Sequence, residues 1–198
     1  MASEVSIAKQ ALLNLSDRFD LDTLKDNTPE AEAIALVFDD TRDAVLRKHP
    51  WKFAKTYWSP EAISGTPPAN WTYMYPYPDH ILKVVKIESP FGRDAVPLKF
   101  DVARSSTGQK VILTDVEAPE FQGTERIVDP YDFDPLFIKA LAFQLAADVA
   151  MTLTGDRSLR NEMQGDANAS IESAKADDAN EGVGEELDRD PDWITARI

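Results

Sequence analysis

Apolar residues first fall into register from about Ser6 to Leu15, where Ile7, Ala8, Ala11, Leu12 and Leu15 share one face of a short helix. A polar connection through Asn27 follows. Thr28 then reads as an N-cap, Pro29 as the first helical position, and Glu30 suits the positive helix end. The stripe Ala31, Ile34, Phe38, Thr41 and Val45 continues at spacings of three and four. Pro50 has no amide hydrogen to donate and drives His49 out of the α region, so this second helix is predicted to end there. Residues 1–50 thus supply the N-terminal helices of a bundle.

From Trp51 to about His80 the pattern loses its period. Pro60, Pro67, Pro68, Pro76 and Pro78 alternate with Trp58, Trp71, Tyr73, Tyr75 and Tyr77, which predicts irregular, extended chain pinned down by aromatics. Strands are expected at Ile81–Ile87, Pro97–Val102, Lys110–Leu113 and Glu125–Val128, with ARSSTGQ as a hairpin loop. No helical pattern separates them, so residues 51–130 read as an antiparallel β insertion. Helical period returns at Asp134–Pro135, and the nearly apolar segment that follows stops at Gly155. A fourth helix is expected from Asp156 with Leu159, Met163, Ile171 and Ala174 inward, weakened in the middle by Gly165. Residues 131–176 are the C-terminal helices and 177–198 an extended tail. The fold class is α+β: an antiparallel bundle of about four helices with an inserted antiparallel β domain.

Composition adds limits. The chain has 198 residues, 43% of them hydrophobic, enough for an ordinary core. No run reaches the roughly 20 apolar residues expected of a bilayer span. The opening MASEVSIAKQALLNL lacks the basic and apolar regions of a secretory signal, so synthesis in the cytoplasm is expected. Without cysteine there is no disulfide or thiolate chemistry. The net charge of −14 argues against a broad DNA-wrapping surface. From Asp177 to Asp192 eight acids (Asp177, Asp178, Glu181, Glu185, Glu186, Asp188, Asp190, Asp192) face only Arg189, a run expected to form a solvated tail.

Candidate chemistry is sparse. The sequence has no Gly-rich phosphate loop, HExxH or GxSxG. Its two histidines, His49 and His80, read as structural rather than catalytic. Asp129, Asp132 and Asp134 lack the glycine and distal glutamate of a calcium loop and are placed as helix caps instead. No cofactor or metal is expected. Exposed Trp and Tyr could stack on sugars, and paired carboxylates could hydrolyse them, but no carboxylate pair stands out by spacing.

Against this background one stretch is distinctive. RDAVLRKHPWKFA, Arg42 to Ala54, resembles a signature of the tail tubular protein A family, the head-to-tail adaptors of short-tailed bacteriophages. The N-terminal helix, the run WTYMYPYPDHILKV, the long helix YDFDPLFIKALAFQLAADVA and the closing DWITAR are also similar to that family, in the same order over nearly the whole chain.

The resemblance implies a structural protein of the virion, made in the host cytoplasm and placed at the head-tail junction. Its partners would be further copies in a ring, commonly of twelve, the phage portal protein, and the distal tail or nozzle protein. DNA would pass through without specific binding, and no membrane is involved. Acidic character suits a channel wall that repels phosphate. Charged residues of the second helix could then face neighbouring subunits while His49-Pro50-Trp51 anchors the β insertion to the bundle. Candidate assembly residues are Arg42, Arg47, Trp51, Phe53, Tyr75, Tyr77, Trp193 and Arg197, the last two as an anchor after the acidic run. The competing reading is a tail hydrolase acting on peptidoglycan.

Overall fold

A computed structural model describes residues 2–16, 21–68, 71–88 and 98–181. It is α+β: four helices and two small antiparallel sheets. The helices are α1 (Glu4–Leu15), α2 (Pro29–Lys48), α3 (Pro135–Thr154) and α4 (Arg157–Asn180). Between α2 and α3 lie β1 (Lys55–Trp58), β2 (Tyr73–Pro76), β3 (Ile81–Glu88), β4 (Phe100–Arg104), β5 (Lys110–Thr114) and β6 (Glu120–Glu125).

Helix ends follow local chemistry. Ser3 and Ser6 form a reciprocal capping box, so α1 starts two residues before the expected Ser6. The Thr28 and Asp134 side chains accept from the first-turn amides of α2 and α3, each with proline at the first helical position. Gly155 stops α3 in the left-handed conformation at φ 67, and Asp156, the next residue, caps α4. The helix α4 does not weaken at Gly165. That residue is exposed, while Met163, Ala167, Ile171 and Ala174 are buried at helical spacing. The backbone cost of about 1 kcal/mol for glycine is therefore set against an uninterrupted packing stripe. The same helix runs through Asp177 and Asp178 to Asn180, which moves the start of any tail beyond the expected 177.

The bundle core is one contiguous cluster centred on α3, which packs against α1, α2 and α4. Ten of its twenty residues are buried, among them Phe137, Leu141, Leu145 and Val149. Contrary to the sequence expectation, α3 has the length and mean hydropathy, 1.6, of a membrane span. Its apolar faces are here covered by the three other helices.

Two strands occupy the stretch read as irregular, and both are edges. β1 borders a sheet of order β1-β6-β3, and β2 borders one of order β2-β5-β4. Pro76 is tolerated because it ends an edge strand. The central strand β6 precedes the expected Glu125–Val128. Its Gln122, Gly123 and Thr124 are all buried, so no polar-apolar alternation marks it in the sequence. Between the sheets lie Tyr75, Ile112, Val84, Ile87 and Phe121. Met74, Val111 and Leu113 pack on the outer side beneath Ile63 and Trp71, which is why β5 is buried on both faces.

Gly123 is needed at its place in β6. A Cβ there would stand 2.7 Å from the Lys83 carbonyl oxygen and 2.8 Å from the Trp58 ring, which itself stacks on Phe121 at 5.4 Å. Gly123→Ala should destabilise the fold by about 1–3 kcal/mol, the usual cost of overpacking a filled site. A thermal melt of the variant checks this; an unchanged midpoint contradicts the packing described.

Candidate functional site

The segment Thr41–Ala54 and the chain returning from β6 meet where the bundle joins the sheets. Three arginines and two aspartates shape the polar side of this junction. Asp43 accepts from Arg42 through one carboxylate oxygen, at 2.8 and 3.0 Å, and from Arg126 Nε at 2.7 Å through the other. Arg42 also binds Asp39 at 2.7 Å. The Arg126 amide donates to the His80 carbonyl at 2.8 Å, so the end of β6 is held to the turn before β3 as well as to α2. Arg47, in the last turn of α2, donates to the Leu82 carbonyl of β3.

These positions correct one expectation. Arg42 is only 3% exposed, with its donors directed to Asp39 and Asp43 of its own helix. The reason is that it follows Thr41 on the inward half of α2, so its charge must be neutralised within the chain. It offers no free surface to another subunit. Arg47 remains exposed, but one of its donors joins bundle to sheet.

The apolar side is a knot of rings. Trp51 is 1% exposed and its Nε1–H donates to the Val45 carbonyl at 3.2 Å. Its ring meets Phe137 of α3 edge-on at 5.3 Å, and His49 at 4.9 Å. Phe53 and Phe133 approach the same Phe137 at 5.0 and 5.1 Å. Trp51 is therefore buried as expected, although its ring partners lie on α3 and the neighbouring turn, not on a strand. The strand contribution to this cluster comes from Leu82.

Asp178 completes the junction from the far end of the sequence. One of its oxygens accepts from the Lys52 amide at 2.9 Å and the other lies 3.0 Å from His49 Nε2. Nothing in the sequence marked this residue, which sits within the acidic run and 126 positions from Lys52. Asp134, Leu136, Asp177, Asp178, Asn180 and Glu181 line a groove of about 300 Å³ beside it. Two of those carboxylates already serve the chain: Asp134 caps α3, and Asp178 holds the turn. Asp129 likewise accepts from the Tyr131 amide as a cap. Among the described residues, no group of three His, Asp or Glu side chains is arranged to hold a metal ion.

Comparison with known protein families and with curated proteins finds no match. The site must speak through its geometry.

The remaining expected residues divide between core and surface. Tyr75 is 1% exposed between the sheets, so it is a core residue. Its hydroxyl donates to the Val116 carbonyl at 3.1 Å and accepts from the Ala118 amide at 3.0 Å. Burial raises its pKa, and the Ala118 amide opposes the rise. This clamp holds the β5–β6 turn, where Ala118 has a left-handed φ of 50. Tyr77 is half-buried, with Lys110 Nζ 3.3 Å from its ring centroid. Trp193 and Arg197 lie outside the described residues. The arrangement as a whole fixes two bodies to one another; most of its polar groups pair with each other, while the buried Lys52 Nζ has no hydrogen-bond partner.

Trp51→Ala should cost about 3–5 kcal/mol, in the range for large buried aromatics. Trp51→Phe keeps most ring contact but leaves the Val45 carbonyl without its donor, for a smaller loss of about 1–3 kcal/mol. Chemical denaturation of both variants tests the ranking. Equal losses would mean that ring packing against Phe137 contributes little.

Proposed function

We propose that the chain is a structural virion protein, an adaptor ring between the portal of a short-tailed phage and its distal tail, without catalytic activity. The reading starts from the five segments that resemble the tail tubular protein A family in order. The observation that carries it is the place of the most distinctive of them. Arg42–Ala54 forms the joint through which a helical bundle holds a sheet unit at a fixed angle. A component that joins two different partners needs two dissimilar bodies rigidly connected, so that force on one is transmitted to the other. Packed aromatics and buried polar bonds supply that stiffness here.

In this reading the copies form a ring, with the portal on one side and the nozzle on the other. The −14 charge suits a lumen through which DNA slides, because phosphate is repelled from carboxylate walls. Trp193 and Arg197, of the residue types that dominate interfaces, are the proposed grip on the portal or an adjacent subunit.

Purified protein added to portal-bearing, tail-less heads should appear by electron microscopy as a ring beneath the portal. Deletion of Asp192 to Ile198 should leave the circular dichroism spectrum intact and the heads bare. Heads left bare by the full chain, or cleared peptidoglycan in a zymogram, would overturn the adaptor reading.

A second outcome concerns DNA. The isolated protein should not retain duplex DNA in a gel-shift titration at physiological salt. Tight, salt-sensitive retention would contradict a sliding channel wall.

A further inference from the structure

The chain carries 35 acidic and 21 basic residues, yet one surface gathers three cations that, among the described residues, form no ion pair with a carboxylate. Arg104 and Lys110 stand opposite each other across β4 and β5. Lys110 reaches over the Tyr77 ring, and the Arg47 charge acts on both Tyr77 and Lys110. All three cations are exposed. Their acceptors are neutral: Arg47 donates to the Leu82 carbonyl, and Arg104 to the Gly108 carbonyl at 3.0 Å. Among the described residues, none of the ion pairs includes Arg47, Arg104 or Lys110. Burial first, and then Arg47 and Arg104, lower the Lys110 pKa, as expected where like charges crowd without a counter-ion.

The position of the α4 terminus suggests what fills this surface. Asp178 ties the last turn of α4 to His49 and Lys52, immediately after the helical turn that bears Arg47. The chain therefore leaves Glu181 beside the end of α2. Three residues later the sequence reads EELDRDPD, residues 185–192, with five acids and one arginine. Ten or so residues of extended chain reach about 35 Å, and a tether of that length gives a local concentration on the order of millimolar.

We propose that residues 185–192 dock on the surface formed by Arg47, Arg104, Lys110 and Tyr77 of the same chain, with their carboxylates as its counter-ions. The contact supplies counter-ions to these three cations and keeps other anionic partners from them. It requires nothing of the adaptor reading and stands or falls separately.

The test is zero-length carbodiimide coupling, which joins a carboxylate to a lysine amine only where the two touch. The full chain is prepared with natural and with heavy nitrogen, mixed, coupled at low salt, and its peptides are identified by mass spectrometry. Lys110 should couple to Glu185, Glu186, Asp188, Asp190 or Asp192, with both halves of each coupled pair carrying the same isotope. The yield should fall severalfold at high salt. Replacing Glu185, Glu186 and Asp188 by their amides should lower the total yield and raise acetylation of Lys110 severalfold. Pairs of mixed isotope would overturn the proposal in favour of a second copy. Coupling of Lys110 elsewhere, or none, would overturn it outright. So would retention of duplex DNA that Lys110→Gln abolishes, which would make nucleic acid the occupant.

Discussion

Both passages of the chain between bundle and sheets close over a single ring, that of Phe137. The outgoing passage brings Trp51 and Phe53 to it, and the returning passage brings Phe133. Phe137 is itself fully buried in the first turn of α3. The position of the inserted sheets is thus set by the packing of the helix that organises the bundle. An insertion joined only by loops would be free to pivot; here each connection ends in an aromatic contact. Edge-to-face ring pairs have preferred geometry as well as area, so they fix direction in addition to burying surface.

Electrostatics reinforces the same joint. Asp43 serves Arg42 on its own helix and Arg126 at the end of β6, so one carboxylate spans the two bodies. The Arg126–Asp43 pair is partly exposed and contributes little alone. Its value lies in sharing an acceptor with the buried Arg42, whose loss of a partner would leave an uncompensated charge.

Much of this could be read in advance where the chemistry is local. Thr28–Pro29, Asp134–Pro135 and Gly155 set helix ends through side chains and dihedrals that the sequence states directly. Trp51 could be placed in a core because Pro50 ends α2 just before it. The strands were harder. β1 and β2 sit at edges where proline and exposed residues are allowed, and β6 is central without looking apolar. Its burial comes from Trp58 lying over Gly123, a relation between distant residues. Arg42 and Asp178 were misplaced for a related reason. A charge on a helix looks solvated until the group that binds it is known, and for Asp178 the Lys52 amide is more than a hundred positions away.

The hold of Asp178 on Lys52 also orders events during synthesis. The sheets are continuous in sequence, and every strand pairs within residues 55–125. They can pair while the C-terminal helices are still in the ribosome. The ring knot cannot, since Phe137 follows the last strand, and the Asp178 contacts must wait for almost the whole of α4. Until then the nascent chain carries a completed sheet unit beside two helices whose apolar stripes have no cover. The joint is the last part to close, and the chain acquires its fixed shape only after nearly all of it has been made.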